Sequence, residues 1–283
     1  MKNAIKIKNL TKKYDGFTLG PLNLDIPSGE IIGLIGENGA GKTTLIKLIL
    51  GIIKKDEGSI SVSDTEEIQK IKGKIGVVLD NMFFPEILSP KDIGLIMDDI
   101  YESWDVQLFK KYMTDFGIPI DKPLKTFSKG MRKKTEIAVA LSHHPKLLIL
   151  DEPTTGLDPI VRNEVLDIFR DFIQDEEHTI LLSTHITSDL EHIADRIVFI
   201  DKGNILMNET HDDIESNYGI MRCDEDEFAK IEDEDKVAYI KNKYSYDILI
   251  EDVTKKKTKY KNCVIDKITL ESLMLLMIKG VRK

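Results

Sequence analysis

Eight consecutive residues constrain this 283-residue chain more than any others: Gly36-Glu37-Asn38-Gly39-Ala40-Gly41-Lys42-Thr43. They follow Ile31-Ile32-Gly33-Leu34-Ile35, a continuous apolar run that reads as a strand buried on both faces. They precede Leu45, Ile46, Leu48 and Ile49, the apolar face of a helix. A glycine-rich turn between a buried strand and a helix aims successive backbone N–H groups at phosphate oxygens. The positive end of the helix adds to that field. In this pattern Lys42 reaches the β- and γ-phosphates, the Thr43 hydroxyl takes a Mg²⁺ position, and Thr44 is placed to contact the α-phosphate.

A second acidic centre belongs on a neighbouring strand, and Leu147-Leu148-Ile149-Leu150-Asp151-Glu152 supplies it. Four apolar residues bury the strand and leave two carboxylates at its C-terminal end, where open α/β sheets bind ligands. Asp151 is expected to hold Mg²⁺ through its water shell, and Glu152 to polarise an attacking water. Further buried-strand runs stand at 75–79, 179–182 and 196–200. Val161, Val165, Ile168, Phe169 and Phe172 lie on one helical face between two of the strands. Strands alternating with helices argue for an α/β core. Ala4 to Leu10 and Leu22 to Ile26 instead alternate apolar and polar residues, as half-buried strands do.

Residues 86–142 carry helical periodicity and proline punctuation with no strand run, so they read as a helical insertion. Within and beside this stretch Phe83, Phe84, Tyr101 and Trp104 are expected in a core or a docking surface. No basic stretch interleaves them as a base-stacking platform requires. His143 and His144 are expected in a solvated loop. After Met207 the composition shifts: from Arg222 to Asp235 eight acids face two bases. Residues 208–283 read as an appended α+β segment, with a strand at 246–251, a basic turn at Lys255-Lys256-Lys257 and a closing helix. That helix carries Leu270, Leu273, Met274, Met277 and Ile278 on one face and stops at Gly280.

Lys plus Arg total 40 against 49 Asp plus Glu, a net charge of −9. A surface built to coat nucleic acid needs the opposite balance, so no nucleic-acid partner is expected. The apolar run Leu273 to Ile278 is far shorter than the roughly 20 residues a spanning helix needs. The N-terminal residues hold no apolar stretch of signal-peptide length. Two cysteines, Cys223 and Cys263, make neither a disulfide framework nor a four-ligand zinc site. The expectation is a soluble, cytoplasmic, globular protein.

The order of the motifs carries a resemblance to the ATPase subunits of ATP-binding-cassette (ABC) transporters. Phe127-Ser128-Lys129-Gly130-Met131 resembles the family signature L-S-G-G-Q. Pro153-Thr154-Thr155-Gly156-Leu157-Asp158 is similar to the family's D-loop, and Leu181-Leu182-Ser183-Thr184-His185 to its switch-histidine strand. Tyr14 stands where the family places an adenine-stacking aromatic. The resemblance covers residues 1–207 and implies a P-loop NTPase-type fold. Its parts are a mostly parallel sheet, an antiparallel β subdomain, the helical insertion and a small C-terminal α+β segment. It also implies ATP and Mg²⁺ as ligands, and two ATPase subunits, identical or different, meeting head to tail. Each nucleotide is then held by residues 36–44, Asp151, Glu152 and His185 of one subunit and by Ser128 and Gly130 of the other. A separate transmembrane permease is the expected partner, holding the chain at the inner face of the membrane and docking near residues 80–105.

Two departures from the family pattern stand out. Asp80 occupies the place of a glutamine, which makes it a candidate Mg²⁺ ligand beside Thr43 and Asp151. Lys129 and Met131 replace a glycine and a glutamine of the signature. The Ser-Lys-Gly-Met form resembles that of ABC-2-type exporters of peptides and antibiotics. The competing readings are a non-transport ATPase acting on ribosomes or DNA, and an ATP-binding sensor. One cassette and no heptad coil weigh against the former; Glu152 and His185 weigh against the latter.

Overall fold

The fold is a computed structural model that describes residues 2–80 and 84–282; Phe83 lies outside the described residues. The chain opens with two long antiparallel strands, β1 (Asn3–Tyr14) and β2 (Phe17–Pro27), then the short buried β3 (Ile31–Ile35) and helix α1 (Lys42–Ile49). Strands β4 (Glu57–Val62) and β5 (Ile75–Val78) follow. β4 returns to β1, giving an antiparallel sheet in the order β2-β1-β4. The alternation seen in the sequence is real here: Ile5, Ile7, Leu22, Leu24 and Ile26 face inward onto α1 and one face of the main sheet.

The insertion is helical, as its periodicity indicates: α2 (Pro90–Ile100), α3 (Val106–Asp115) and α4 (Lys129–Leu141). Each starts on a side-chain cap, Ser89, Asp105 and Ser128 respectively. Trp104, Phe109 and Phe127 fill the insertion's core, with Phe84 and Tyr101 packed against it.

The chain then alternates through β6 (Leu147–Asp151), α5 (Pro159–Phe172), β7 (Thr179–Thr184), α6 (Thr187–Ile193) and β8 (Arg196–Asp201), closing with β9 (Asn204–Thr210). The sheet order is β5-β6-β7-β3-β8-β9, parallel throughout except for β9, which runs antiparallel to β8. Because β9 spans residue 207, the boundary expected at 207/208 falls inside a strand of this sheet.

Beyond it come α7 (His211–Asn217), β10 (Tyr218–Cys223), α8 (Glu225–Phe228), β11 (Ala238–Lys241), β12 (Tyr246–Glu251), α9 (Val253–Lys259), β13 (Val264–Lys267), α10 (Leu270–Lys279) and β14 (Val281–Arg282). Their strands form one antiparallel sheet, β13-β10-β12-β11-β14. Two details differ from the expectation. Lys255, Lys256 and Lys257 lie in helix α9, not in a turn. Lys256 is buried against Asp235, which also accepts from Lys259 and Tyr260, so the acidic stretch is partly neutralised from the next element. Burial pushes the Asp235 carboxyl up, but the lysine and tyrosine donors together outweigh it and hold the group well below the usual carboxylate range.

The C-terminal sheet shares a core with the six-stranded sheet. Leu270, Leu273, Leu276 and Met277 of α10 join the same cluster as Leu190, Ile193 and Ala194. The Leu270 N–H donates to Glu191 across 2.8 Å, and Arg282 donates to Asp201 across 2.9 Å.

Candidate functional site

The glycine-rich loop lies at the C-terminal end of β3, between it and α1. Gly41, the N-cap of α1, has φ +115°, a conformation that glycine adopts without a Cβ penalty. A Cβ at Gly36 would collide with the Ile200 carbonyl oxygen, so the loop closes tightly onto β8. Glu37, Asn38 and Gly39 are exposed, Ala40 is buried and Thr44 half-buried. The Lys42 ammonium, 6% exposed, donates to the carbonyls of Gly36 at 2.7 Å and Glu37 at 3.2 Å. Burial pushes its pKa below the usual lysine value, while Glu152 and Asp151 act to raise it.

Asp151 ends β6 in register with Ser183 of β7. Its Oδ2 accepts from the Thr43 hydroxyl at 2.8 Å, while its Oδ1 is buried with no hydrogen-bond partner among the described residues. An unsatisfied buried carboxylate oxygen costs about 1–3 kcal/mol or more. The pair suits a cation that uses one carboxylate, one hydroxyl, waters and substrate phosphates, which is how Mg²⁺ binds in such sites. Among the described residues no cluster of three His, Cys, Asp or Glu side chains could hold a metal by itself.

Glu152 takes the left-handed conformation, φ +51°, uncommon for a residue with a side chain. Its N–H donates to the Ser183 carbonyl at 2.8 Å. Its Oε2 accepts from the Thr155 hydroxyl at 2.6 Å and faces His185 Nδ1 at 2.9 Å. Backbone strain of this kind persists where surrounding contacts fix it, typically at functional sites. Glu152, His185, Asp151, Thr43 and Lys42 therefore form one connected group at the C-terminal ends of β3, β6 and β7.

Ser128 and Gly130 stand apart from that group. Ser128 caps α4, accepting from the Met131 N–H at 3.2 Å, and is exposed. Among the described residues no hydrogen bond joins either to residues 36–44. The Lys129 side chain lies across Gly156 of the D-loop-like turn, where φ is +71°. Tyr14 is 45% exposed, with Lys12 over its ring and Phe17 stacked beside it.

Asp80 is exposed just past β5. Among the described residues no hydrogen bond links it to Thr43 or Asp151. Its charge acts instead on Glu136 of α4. Burial raises the pKa of that carboxyl, the Lys133 ammonium at 2.8 Å lowers it, and Asp80 adds a further rise. His143 differs from its expectation: it is 1% exposed, stacked on Tyr101 with ring centroids 4.2 Å apart. Its ring nitrogens face the carbonyls of Ile75 and Val139, and burial pushes its pKa down. His144 is exposed, as expected.

The sequence reading missed a buried network next to the site. Asp189, 1% exposed, accepts from the Thr154 hydroxyl at 2.6 Å and pairs with Arg162, which also donates to Ser188. Only the position of Thr154, two residues after Glu152, hinted at it.

A family model described as "ABC transporter" matches residues 19–155, and a second, described as "AAA domain, putative AbiEii toxin, Type IV TA system", matches 123–188. The chain is 39% identical over 216 residues to "Lantibiotic transport ATP-binding protein SrtF" of Streptococcus pyogenes, covering 75% of this chain and 93% of that protein. This chain belongs to the ABC transporter ATP-binding family. Such subunits hydrolyse ATP to power transport, and this one is an ATPase of that kind. It is also 34% identical to "Bacitracin transport ATP-binding protein BcrA" of Bacillus licheniformis, over 73% of this chain and 69% of that one. Among solved structures it is similar to cbiO1 from Clostridium perfringens, described as part of the transporter complex cbiONQ. There the TM-score is 0.63 at 27% identity, over 74% of this chain and 89% of that one. The α/β fold with its mostly parallel sheet is that of these cassettes. Ribosome- or DNA-directed action finds no support among these relatives.

Proposed function

We propose that this ATPase subunit powers export of a peptide antibiotic or another small amphipathic molecule. It does so as half of a head-to-tail ATPase pair docked on a separate permease. The observation that carries the hydrolytic part is the connected group Thr43–Asp151 and Glu152–His185 beside the glycine-rich loop. In this reading Asp151 and Thr43 hold Mg²⁺, which supplies charge neutralisation at the phosphates when bound. Lys42 and the loop N–H groups bind those phosphates. Glu152 orients and polarises water, with Thr155 and His185 fixing its carboxylate. Tyr14 stacks on adenine. Ser128, exposed, and Gly130, half-buried, are separate from the loop in their own chain and serve the nucleotide of the partner subunit.

Residues 1–207 form the ATPase domain in this proposal and residues 208–283 an accessory segment. Among the described residues no helix is long and apolar enough to cross a membrane. In this reading a separate permease provides the membrane path. Its dock is the face around α2, where Val77, Ile87, Leu95, Ile96 and Ile100 are exposed large apolar residues. Glu86, Asp98, Asp99 and Glu102 surround them. Cytoplasmic segments of membrane proteins are rich in Lys and Arg, so that face suits a basic, amphipathic segment. Such docking places the subunit at the cytoplasmic face of the membrane.

The cargo class follows from the lantibiotic- and bacitracin-transport relatives. The test is co-purification with the membrane partner, reconstitution in vesicles, and ATP-dependent transport of a labelled peptide antibiotic. ATP turnover without cargo movement for that class would overturn the export reading.

A further inference from the structure

One short helix, α6, lies between the accessory segment and the residues around His185. α6 begins two residues after His185 and carries three consecutive residues with separate tasks. Asp189 is buried and bound to Thr154 and Arg162, so it faces the turn that follows Glu152. Leu190 packs into the sheet, against the bare Cα of Gly33, where a Cβ would stand 2.8 Å from its methyls. Glu191 points the other way, to the C-terminal segment, and accepts from the Leu270 N–H at 2.8 Å.

That last contact has a clear physical basis. The first N–H groups of a helix have no partner within it, and the end of the helix is electropositive. In α10 the capping box between Thr269 and Ser272 satisfies the N–H groups of those two residues and leaves that of Leu270. Glu191 takes it. The start of α6 has no side-chain cap among the described residues; Thr184 accepts from the Ile186 N–H at 3.0 Å, and Asp189 and Glu191 tie the helix to its neighbours.

We infer that Glu191 is a positioning residue for ATP hydrolysis: by holding the start of α10 it sets α6, and through α6 the placement of His185 and the Glu152 turn. The C-terminal segment is then a control element for turnover rather than a passive cover. This rests on the assignment of Glu152 and His185 to hydrolysis.

The test uses the full chain with Glu191→Ala, which removes the acceptor, and Glu191→Gln, which keeps a carbonyl acceptor for the Leu270 N–H. Hydrogen exchange over residues 185–193 should rise in Glu191→Ala and stay near wild type in Glu191→Gln, with residues 36–44 unchanged in both. The kcat of Glu191→Ala should fall roughly three- to tenfold, the range of modest couplings between sites, with ATP affinity unchanged. Glu191→Gln should recover most of the rate. Wild-type kcat in Glu191→Ala together with a lowered melting temperature would reduce the contact to a structural one and overturn the inference. Equal losses in both variants would also overturn it, because charge rather than the held N–H would then be responsible. If exchange responds as expected while Glu152→Gln turns over normally, the hydrolytic assignment is what fails.

Discussion

His185 Nδ1 lies 2.9 Å from Glu152 Oε2, with Glu152 itself held in a left-handed backbone conformation. A carboxylate only accepts, so Nδ1 carries the proton of this contact and Nε2 is the ring's second functional face. The same Oε2 receives the Thr155 hydroxyl and, at 3.5 Å, that of Thr184, so three neighbours converge on one oxygen.

Replacing Glu152 by Gln removes the proton-accepting charge and keeps the shape. Turnover should fall by roughly 10²- to 10⁴-fold, the usual size of a general-base contribution. ATP binding should persist, and an ATP-bound dimer should accumulate on size-exclusion chromatography. Steady-state phosphate release at the wild-type rate would remove Glu152 from the role given to it.

Asp80 is exposed just past β5, and its charge acts to raise the pKa of Glu136 in α4. ATP affinity titrated against Mg²⁺ should give superimposable curves for wild type and Asp80→Gln. Stronger metal-free binding in the variant would instead place the carboxylate at the metal.

The shared core predicts cooperative unfolding. Leu273 is fully buried between α10 and the α6 side of the sheet, so Leu273→Ala should cost about 2–5 kcal/mol. Calorimetry should show one transition moved to lower temperature. Two separate transitions, with only the smaller one moved, would mean that the C-terminal segment unfolds independently.

His143 makes stability sensitive to mild acid. Burial holds its folded pKa below the unfolded value of about 6.5. Below that value the unfolded chain binds the proton more readily, so this part of the stability is complete above about pH 6.5 and is lost as pH falls toward the folded pKa. Denaturant midpoints measured from pH 8 down to pH 5 should fall less steeply in His143→Gln, which keeps a donor for the Ile75 carbonyl. Parallel slopes would exclude His143 as the source.

The parallel strands and the glycine-rich loop were legible because each is written locally, in an unbroken apolar run or a fixed spacing. β3, β6, β7 and β8 all begin where those runs begin. The harder parts depend on distant partners. β4 reads Glu57-Gly58-Ser59-Ile60-Ser61-Val62 and is half-exposed, stabilised by register with β1 rather than by its own pattern. The lysines of α9 looked like a solvated turn because Asp235, which accepts from Lys256, lies 21 residues earlier. His143 looked like a loop residue because the ring that covers it, Tyr101, comes from another helix. In the site, the members of the motifs were readable one by one. The Asp189–Thr154–Arg162 network was not, since it joins three segments that meet only in the folded chain.

Gly33 has a consequence for how α6 can move. Ile31 and Ile35 share its face of β3 and pack in the same cluster as Leu190, so that side chain sits in a notch one residue wide. Sliding along the strand would drive Leu190 against a β-branched neighbour on either side. Leu190 is then a seat, with Asp189 tied to the Thr154 turn and Glu191 to α10 on either side of it in sequence. Filling the seat, as Gly33→Ala would, should displace both ties together.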